Sequence, residues 1–196
     1  MAPEAEAKNP NAEADATGPS DESLASRSRH GDLAAFEILA RRYQGRVFSY
    51  AARMTGDAHE AEDLAQETLL RVYQSLERFD TAQPFVAWVF GIASHVCCDW
   101  LRRRGRRREQ VMETVDAVHR GASPAAEAVA AEDRERVASA VQRLPRKYRE
   151  VIVLHYVEDM GYDDVAAALG IRPDAARRRA LRARTMLERY LGENQA

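Results

Sequence analysis

The chain has 196 residues, 45% of them hydrophobic, which is enough for one ordinary domain or two small ones. Only 7% are aromatic and ten are glycine, which favours a helical protein over a β-rich one. The formal net charge of −2 hides two basic stretches, since residues 101–108 hold six arginines and residues 172–184 hold six more. Such concentrated positive charge predicts a polyanionic partner, and charge alone leaves nucleic acid and membrane as alternatives.

The first 21 residues are mostly alanine, glutamate, proline and asparagine, without apolar periodicity. This composition cannot bury enough apolar surface to fold, so we expect a disordered acidic tail. A leader that only aids solubility is the simpler alternative. No apolar run approaches the ~18 residues of a membrane span, and the N-terminus has no signal-peptide pattern, so we expect a cytoplasmic protein.

Two amphipathic helices are predicted next. Asp32 is the expected N-cap of a helix of about 20 residues, in which apolar side chains recur at Leu33, Phe36, Ala40, Tyr43, Val47, Tyr50 and Met54. Gly56 breaks this helix, and Asp57 can cap the following one. The apolar side of the second helix carries Ala61, Ala65, Leu69, Val72 and Leu76.

A further helix, starting near Phe85 after a break at Pro84, combines aromatic residues with arginines. Its inner face is predicted to carry Trp88, Val89, Ile92, Val96 and Trp100. Aromatic rings stack on unpaired bases while arginines hold the nucleic-acid backbone. The alternative, commoner at helical spacing, is that Phe85 and Trp88 are simply core residues. Residues 105–125 then lose periodicity and predict a linker.

Residues 162–184 have the spacing of a helix-turn-helix unit. Gly170 supplies the positive φ that the turn requires, and Pro173 fits the first position of the second helix. On that helix the expected core positions are Ala176, Ala180, Ala183 and Leu187, and the expected outward positions are Arg177, Arg178, Leu181 and Arg182. Outward arginines can reach base edges or phosphates in a major groove. The alternative is a solvated basic face on a plain helical hairpin.

These residues together resemble one family, the extracytoplasmic-function sigma factors of bacterial RNA polymerase. The pattern met by Phe85, Trp88, Ile92, Ala93, Asp99, Arg102 and Arg103 is similar to the family's minus-ten-recognition region. AEDLAQETLLRVY at residues 61–73 resembles its core-polymerase-binding helix, and GDLAAFEILARRY at residues 31–43 resembles the helix that opens the same domain. Residues 144–171 resemble the minus-thirty-five-binding domain.

The resemblance covers about residues 22–192 and implies an all-α fold of two small helical domains on a flexible linker. The implied organisation is a tail over 1–21, a sigma region 2-like domain over 22–108, a linker over 109–127 and a sigma region 4-like helix-turn-helix domain over 128–192. The implied function is promoter recognition in transcription initiation, in a stress or envelope response. The implied partners are core RNA polymerase (the clamp of the largest subunit and the flap), promoter DNA as duplex and single strand, and an anti-sigma factor.

The resemblance also assigns site residues, in three groups. The core-polymerase-binding stripe is Asp63, Gln66, Glu67, Leu70 and Gln74. The minus-ten DNA-binding residues are Phe79, Phe85, Trp88, His95, Asp99, Arg102 and Arg103. The minus-thirty-five DNA-binding residues are Arg172, Arg177, Arg178, Leu181 and Arg182.

The chain departs from the family pattern at several DNA-facing positions, which leaves the promoter sequence open. His95 stands where asparagine is usual, Asp174 and Ala175 stand where Gly-Thr is common, and Arg178 and Leu181 replace polar residues. A conventional helix-turn-helix repressor or activator and a helical adaptor remain alternative classes. A repressor would shift duplex DNA alone, whereas a sigma factor binds a promoter specifically only with core enzyme.

The neighbouring Cys97 and Cys98 are the only cysteines, and adjacent cysteines rarely bridge each other. We expect no disulfide, a reducing compartment and small buried thiols, with redox sensing as the alternative if either thiol is exposed and acidified. His95 with these cysteines does not converge on a metal, so we expect no metal and no cofactor. Asp99 can pair with Arg102 and Arg103 within its own helix. No catalytic constellation is present, and we expect no enzyme.

Overall fold

The computed structural model describes residues 18–111 and 128–193, and within these ranges the chain is helical with no strand. A short 3-10 turn, Leu76–Arg78, follows the third helix, and a π-helical turn, Val153–Val157, follows the sixth. The helices in chain order are α1 (Asp21–Arg29), α2 (Leu33–Thr55), α3 (Ala58–Ser75), α4 (Phe85–Val111), α5 (Ala128–Arg143), α6 (Arg146–Ile152), α7 (Tyr162–Leu169) and α8 (Pro173–Gly192).

The predicted helix boundaries in the N-terminal half are confirmed by cap geometry. The Asp32 side chain accepts from the Ala35 amide, and the Asp57 side chain accepts from the amides of His59 and Glu60. These carboxylates satisfy amide groups that have no partner inside the helix. Gly56 ends α2 with φ of 74°, a left-handed conformation that favours glycine.

The core of the N-terminal helices is rich in aromatic side chains. Phe79 and Phe85 meet edge-to-face with 5.2 Å between ring centroids, and Tyr43 meets Phe85 at 5.4 Å. Tyr50 and Phe90 pack in the same way at 5.6 Å. Such geometries add stability beyond area burial, so this cluster fixes α2 against the start of α4.

The C-terminal helices contain a smaller apolar cluster between α6 and α8. Its buried members are Leu144, Ile152 and Ala183, and half-buried side chains from both helices surround them. Gly170 ends α7 with φ of 61°, and Pro173 begins α8, as predicted. The cluster and the tight turn set the direction in which α8 leaves the domain.

The two sets of helices lie directly against each other. Apolar residues of α2 and α4 join those of α6 to α8 in one continuous core. A side-chain carbon placed on Gly91 would lie 3.2 Å from the carbonyl oxygen of Ala168, so α4 and α7 approach more closely than a larger residue at this position accommodates without a shift. Arg46 Nε also donates to the buried carboxylate of Glu158 over 3.1 Å. The predicted domains are therefore closed on each other in this structure.

The last residues of the predicted tail belong to the fold. Ser20 caps α1, and its neighbour Asp21 pairs with Arg42 at 2.7 Å and accepts from the Tyr43 hydroxyl at 2.6 Å. Asp21 thus belongs to the fold, because its carboxylate ties α1 to α2. Residues 1–17 of the predicted tail lie outside the described residues.

The helix that carries the arginine run continues past the expected start of the linker. α4 extends to Val111. From the sequence we expected the helical pattern to end near residue 105 and the linker to begin at residue 109. Arginine and glutamate are good helix formers, and a single glycine does not end a helix. Residues 112–127 of the predicted linker lie outside the described residues. In the described ranges no helix is long and apolar enough to cross a membrane.

Candidate nucleic-acid interface

Helix α8 displays the side chains expected to contact duplex DNA. Ala176, Ala180 and Ala183 are buried, as the periodicity predicted. The opposite side of the helix is exposed and includes Leu181, which is 65% accessible. The exposed positions include all the predicted ones, namely Arg172, Arg177, Arg178, Leu181 and Arg182. A rigid helix with this exposed face can enter a major groove.

The arginines of this face differ in their partners. The guanidinium of Arg177 lies 3.3 Å from the carboxylate of Asp174 and 3.9 Å from that of Asp163. Its carbon atom also lies 5.8 Å from the centroid of the Tyr162 ring. Arg178 and Arg182 belong to none of the ion pairs found in the described part of the chain. Their uncompensated charge is available to a phosphate backbone.

Two aromatic residues that were predicted to contact DNA, Phe79 before α4 and Phe85 at its start, lie in the core. Phe79 and Phe85 are each only 1% accessible, because both rings fill the core between α2 and α4. They present no surface to a base in this structure, which favours the alternative that they are core residues. Trp88 is half-buried, and its ring centroid lies 5.0 Å from that of Phe79.

Further along α4 the predicted polar positions reach solvent. His95 is exposed, with Nδ1 2.7 Å from the carbonyl oxygen of Gly91. Arg102 donates to Asp99, and this hydrogen bond holds the pKa of the Asp99 carboxyl below its ordinary value. The predicted ion pair within the helix is therefore present for Arg102. Arg103 is exposed on the next position.

The outer face of α3 carries the stripe predicted to meet the polymerase. Asp63, Gln66, Leu70 and Gln74 are exposed, and the half-buried Glu67 accepts from Arg71 over 2.7 Å. The structure adds Tyr73, which the sequence reading did not assign to this stripe. Tyr73 is 43% accessible beside Leu70 at 51%, and its ring packs on Phe36 with 4.8 Å between centroids. The three-residue spacing between Leu70 and Tyr73 could have indicated this, because residues three apart lie on the same face of a helix.

Cys97 and Cys98 are buried free thiols, as expected. Burial raises the pKa of Cys97 to about 12 and that of Cys98 to about 11. Cys98 also donates to Glu150 over 3.1 Å. Because the thiolate is the reactive form, both groups are poor nucleophiles near neutral pH, which disfavours the redox-sensing alternative. The described residues contain no cluster of histidine, cysteine and carboxylate able to hold a metal ion.

Comparison with known families agrees with this geometry over most of the chain. Residues 39–107 match Sigma-70 region 2, and residues 134–187 match Sigma-70 region 4. These two regions in this order define a sigma factor of RNA polymerase, a transcription initiation factor and not an enzyme.

Individual relatives indicate which group of sigma factors this chain resembles. RNA polymerase sigma factor CarQ of Myxococcus xanthus is 36% identical over 173 residues, which cover 85% of this chain and 95% of that protein. ECF RNA polymerase sigma factor SigE of Mycolicibacterium smegmatis is 34% identical over 84% of this chain and 65% of that protein. The solved structure of CnrH in complex with the cytosolic domain of CnrY matches with a TM-score of 0.69 and 30% identity, over 89% of this chain and 99% of that one. The chain belongs to the extracytoplasmic-function family of RNA polymerase sigma factors.

Proposed function

We propose that the chain guides core RNA polymerase to its promoters through three surfaces, on α3, α4 and α8. The observation that carries this proposal is the exposed face of α8, where Arg178 and Arg182 have no carboxylate partner in the described residues. Uncompensated arginines on a helix-turn-helix unit suit a polyanionic duplex. The protein would act in the cytoplasm, where transcription occurs.

The polymerase surface is the stripe on α3. Leu70 and Tyr73 form an exposed apolar centre, and Asp63, Gln66 and Gln74 form a polar rim around it. An apolar centre inside a polar rim is typical of protein–protein interfaces. We assign it to the clamp of the largest polymerase subunit, and we assign the polymerase flap to the C-terminal domain.

The minus-ten surface is the exposed side of α4. Trp88 and His95 offer rings, while Arg102 and Arg103 offer charge for the backbone of an unpaired strand. Asp99 orients Arg102 through their hydrogen bond. Phe79 and Phe85 support this surface from the core. Stacking of the unpaired bases would offset the unpairing cost of a few kcal/mol.

An anti-sigma factor is the proposed regulator. CnrH, to which this chain is similar, was solved in complex with the cytosolic domain of CnrY. The sigma factor RpoE from Bartonella quintana, which shares the fold at 24% identity, was solved with the anti-sigma factor NepR. A partner of this kind would compete with core polymerase if it covered the exposed stripe of α3.

The test of the polymerase surface is co-purification of the full chain with core RNA polymerase. The double change Asp63→Ala and Gln66→Ala should reduce the retained sigma factor, and the melting temperature should stay that of the wild type because both side chains are exposed. Glu188→Ala, an exposed change near the end of α8, is the matched control. Undiminished binding by the double variant would contradict the assignment.

The test of the DNA surfaces uses holoenzyme reconstituted from this chain and core polymerase. Promoters are selected from a random library, and the selected upstream duplex is then offered to the holoenzyme and to the chain alone. Sequence-specific binding should require core enzyme. A specific shift by the chain alone would instead indicate a conventional repressor or activator.

A further inference from the structure

Helix α1 holds both ends of the turn that leads into α4. This connecting turn, residues 80–84, runs between the buried side chains of Phe79 and Phe85. At its first end, Arg29 Nη1 donates to the carbonyl oxygen of Phe79 over 3.2 Å. At its second end, the amide of Phe85 donates to Glu22 Oε1 over 3.0 Å. Two side chains of one helix thus fix the backbone on either side of the connecting turn.

The connecting turn gains little from packing of its own side chains. Four of its five residues are exposed, and only Gln83 is half-buried. Within it, Asp80 accepts from the Ala82 amide at 3.0 Å and from the Gln83 amide at 3.1 Å. Pro84 directly precedes α4 and has no side-chain acceptor for the first amides of that helix. Glu22 supplies the acceptor from 63 positions away, and its negative charge suits the positive end of the helix dipole.

Helix α1 is itself anchored in the N-terminal domain. Leu24 is fully buried in the core. Near the start of α1, Asp21 pairs with Arg42 of α2 over 2.7 Å, and both side chains are largely shielded from solvent. Near its end, Arg27 pairs with Asp32, the N-cap of α2, over 2.7 Å. Because α1 is fixed to α2 in this way, it can hold the connecting turn in one position.

The two held ends lie under the ring that is proposed to stack on an unpaired base. The ring centroid of Trp88 lies 5.0 Å from that of Phe79 and 5.6 Å from that of Phe85. A backbone shift at either end of the connecting turn would therefore move the support of Trp88. A side chain that is ordered before binding loses less conformational entropy when the ligand arrives. A fixed Trp88 should therefore bind a single strand more tightly than a mobile one.

We propose that Glu22 and Arg29 are positioning residues for capture of the unpaired minus-ten strand. They act on Trp88 through Phe79 and Phe85, and they contact no base themselves. The inference rests on the proposed function of α4 and gives α1 a part in it. Loss of either hydrogen bond should weaken single-strand binding alone, because the surfaces proposed for duplex DNA and for polymerase lie on α8 and α3.

The experiment measures binding of holoenzyme, reconstituted from the full chain and core RNA polymerase, to a labelled single-stranded oligonucleotide. The oligonucleotide carries the minus-ten segment of the selected promoter. Glu22→Ala and Arg29→Ala should each lower the affinity about two- to tenfold, the range expected when one side chain is no longer held before binding. Glu22→Gln keeps an oxygen that can accept from the Phe85 amide, so it should retain most of the affinity. Binding of the upstream duplex and retention on core polymerase should stay those of the wild type.

Asp57→Ala is the matched control, because it removes a helix N-cap of the same domain at the start of α3. Loss of that cap should lower the melting temperature to a degree similar to Glu22→Ala and leave the single-strand affinity unchanged. Equal losses of single-strand affinity in Asp57→Ala and Glu22→Ala would reduce Glu22 to a structural role and overturn the proposal. A parallel loss of duplex binding or of core retention in Glu22→Ala would overturn it too.

Arg103→Gln tests the minus-ten surface itself, since Arg103 is exposed on α4. A loss of single-strand affinity in Arg103→Gln, with none in Glu22→Ala or Arg29→Ala, would overturn the positioning role and leave the proposed function standing. No loss in any of these three variants would overturn the minus-ten assignment as well.

Discussion

The two surfaces predicted to meet DNA differ in how far the structure exposes them. Every side chain predicted to contact DNA at α8 reaches solvent, whereas Phe79, which precedes α4, and Phe85, at its first position, are each 1% accessible. Helical periodicity predicted the outward positions of α8, whereas the resemblance to the sigma-factor family assigned Phe79 and Phe85 to DNA binding. An unpaired arginine cannot be buried cheaply, so a patterned arginine marks a surface, but a patterned aromatic residue marks the core as readily as a binding face. An aromatic motif therefore indicates a binding surface only where its rings are also exposed.

The largest expected effect separates core from surface directly. Phe85→Ala should lower the free energy of unfolding by about 3–5 kcal/mol, because it empties space shared with Tyr43, Phe79 and Trp88. Arg178→Ala should change it by less than about 0.5 kcal/mol. Urea denaturation of both variants measures the difference. A Phe85→Ala variant as stable as the wild type would place that ring outside the core.

A middle-sized effect is expected at the contact between α4 and α7. Gly91→Leu should cost about 1–3 kcal/mol, since a side chain there meets the carbonyl oxygen of Ala168. Gly105→Leu, at a position of the same helix with open space, is the matched control and should gain about 0.5 kcal/mol. Thermal or urea unfolding compares the two. Equal stabilities would mean that α4 and α7 are not in contact in solution.

The smallest effect expected is a pH dependence at Glu158. Burial raises the pKa of this carboxyl above its ordinary 4.5, and Arg46 opposes the rise. The raised pKa favours the protonated form in the folded state, so its contribution to stability is complete below pH 4.5 and is lost as the pH rises through the folded pKa. Glu158→Gln should therefore gain stability relative to wild type as the pH rises.

Unfolding measured from pH 4.5 to neutrality checks this drift. The control is Asp163→Asn, because the Asp163 carboxylate is exposed and its pairing with Arg177 is screened by solvent. A constant difference between wild type and Glu158→Gln would show that Glu158 is solvated. A solvated Glu158 would also mean that its ion pair with Arg46 holds α2 to the C-terminal helices only weakly.

Local chemistry made most of the fold predictable. Helix ends are set locally, through cap hydrogen bonds or a backbone angle, and four of them are placed as predicted, at Asp32, Asp57, Gly170 and Pro173. Contacts between distant segments were not predictable. Arg149 is an example, because its guanidinium donates to the carbonyl oxygens of Met54, Gln142 and Leu144. No spacing in the sequence indicates that these segments meet at one side chain.

The candidate site was predictable to the same degree. The outward face of α8 follows from helical periodicity alone. The hold of α1 on the connecting turn does not, because Glu22 and Phe85 lie 63 positions apart and meet only through tertiary packing. The burial of Phe79 depends likewise on how α2, α4 and the preceding turn assemble.

The close approach of Gly91 to Ala168 has a thermodynamic consequence for any partner that binds only when α4 and α7 are separated. A ligand that needs α4 and α7 apart binds only the fraction of molecules in which they are apart, so its apparent affinity is lower by that fraction. Binding and closure are coupled reciprocally. A ligand whose affinity is lowered by closure therefore shifts the equilibrium toward the open arrangement by the same factor. Substitutions that loosen this contact should therefore act as gain-of-affinity variants, although they touch no DNA-facing side chain.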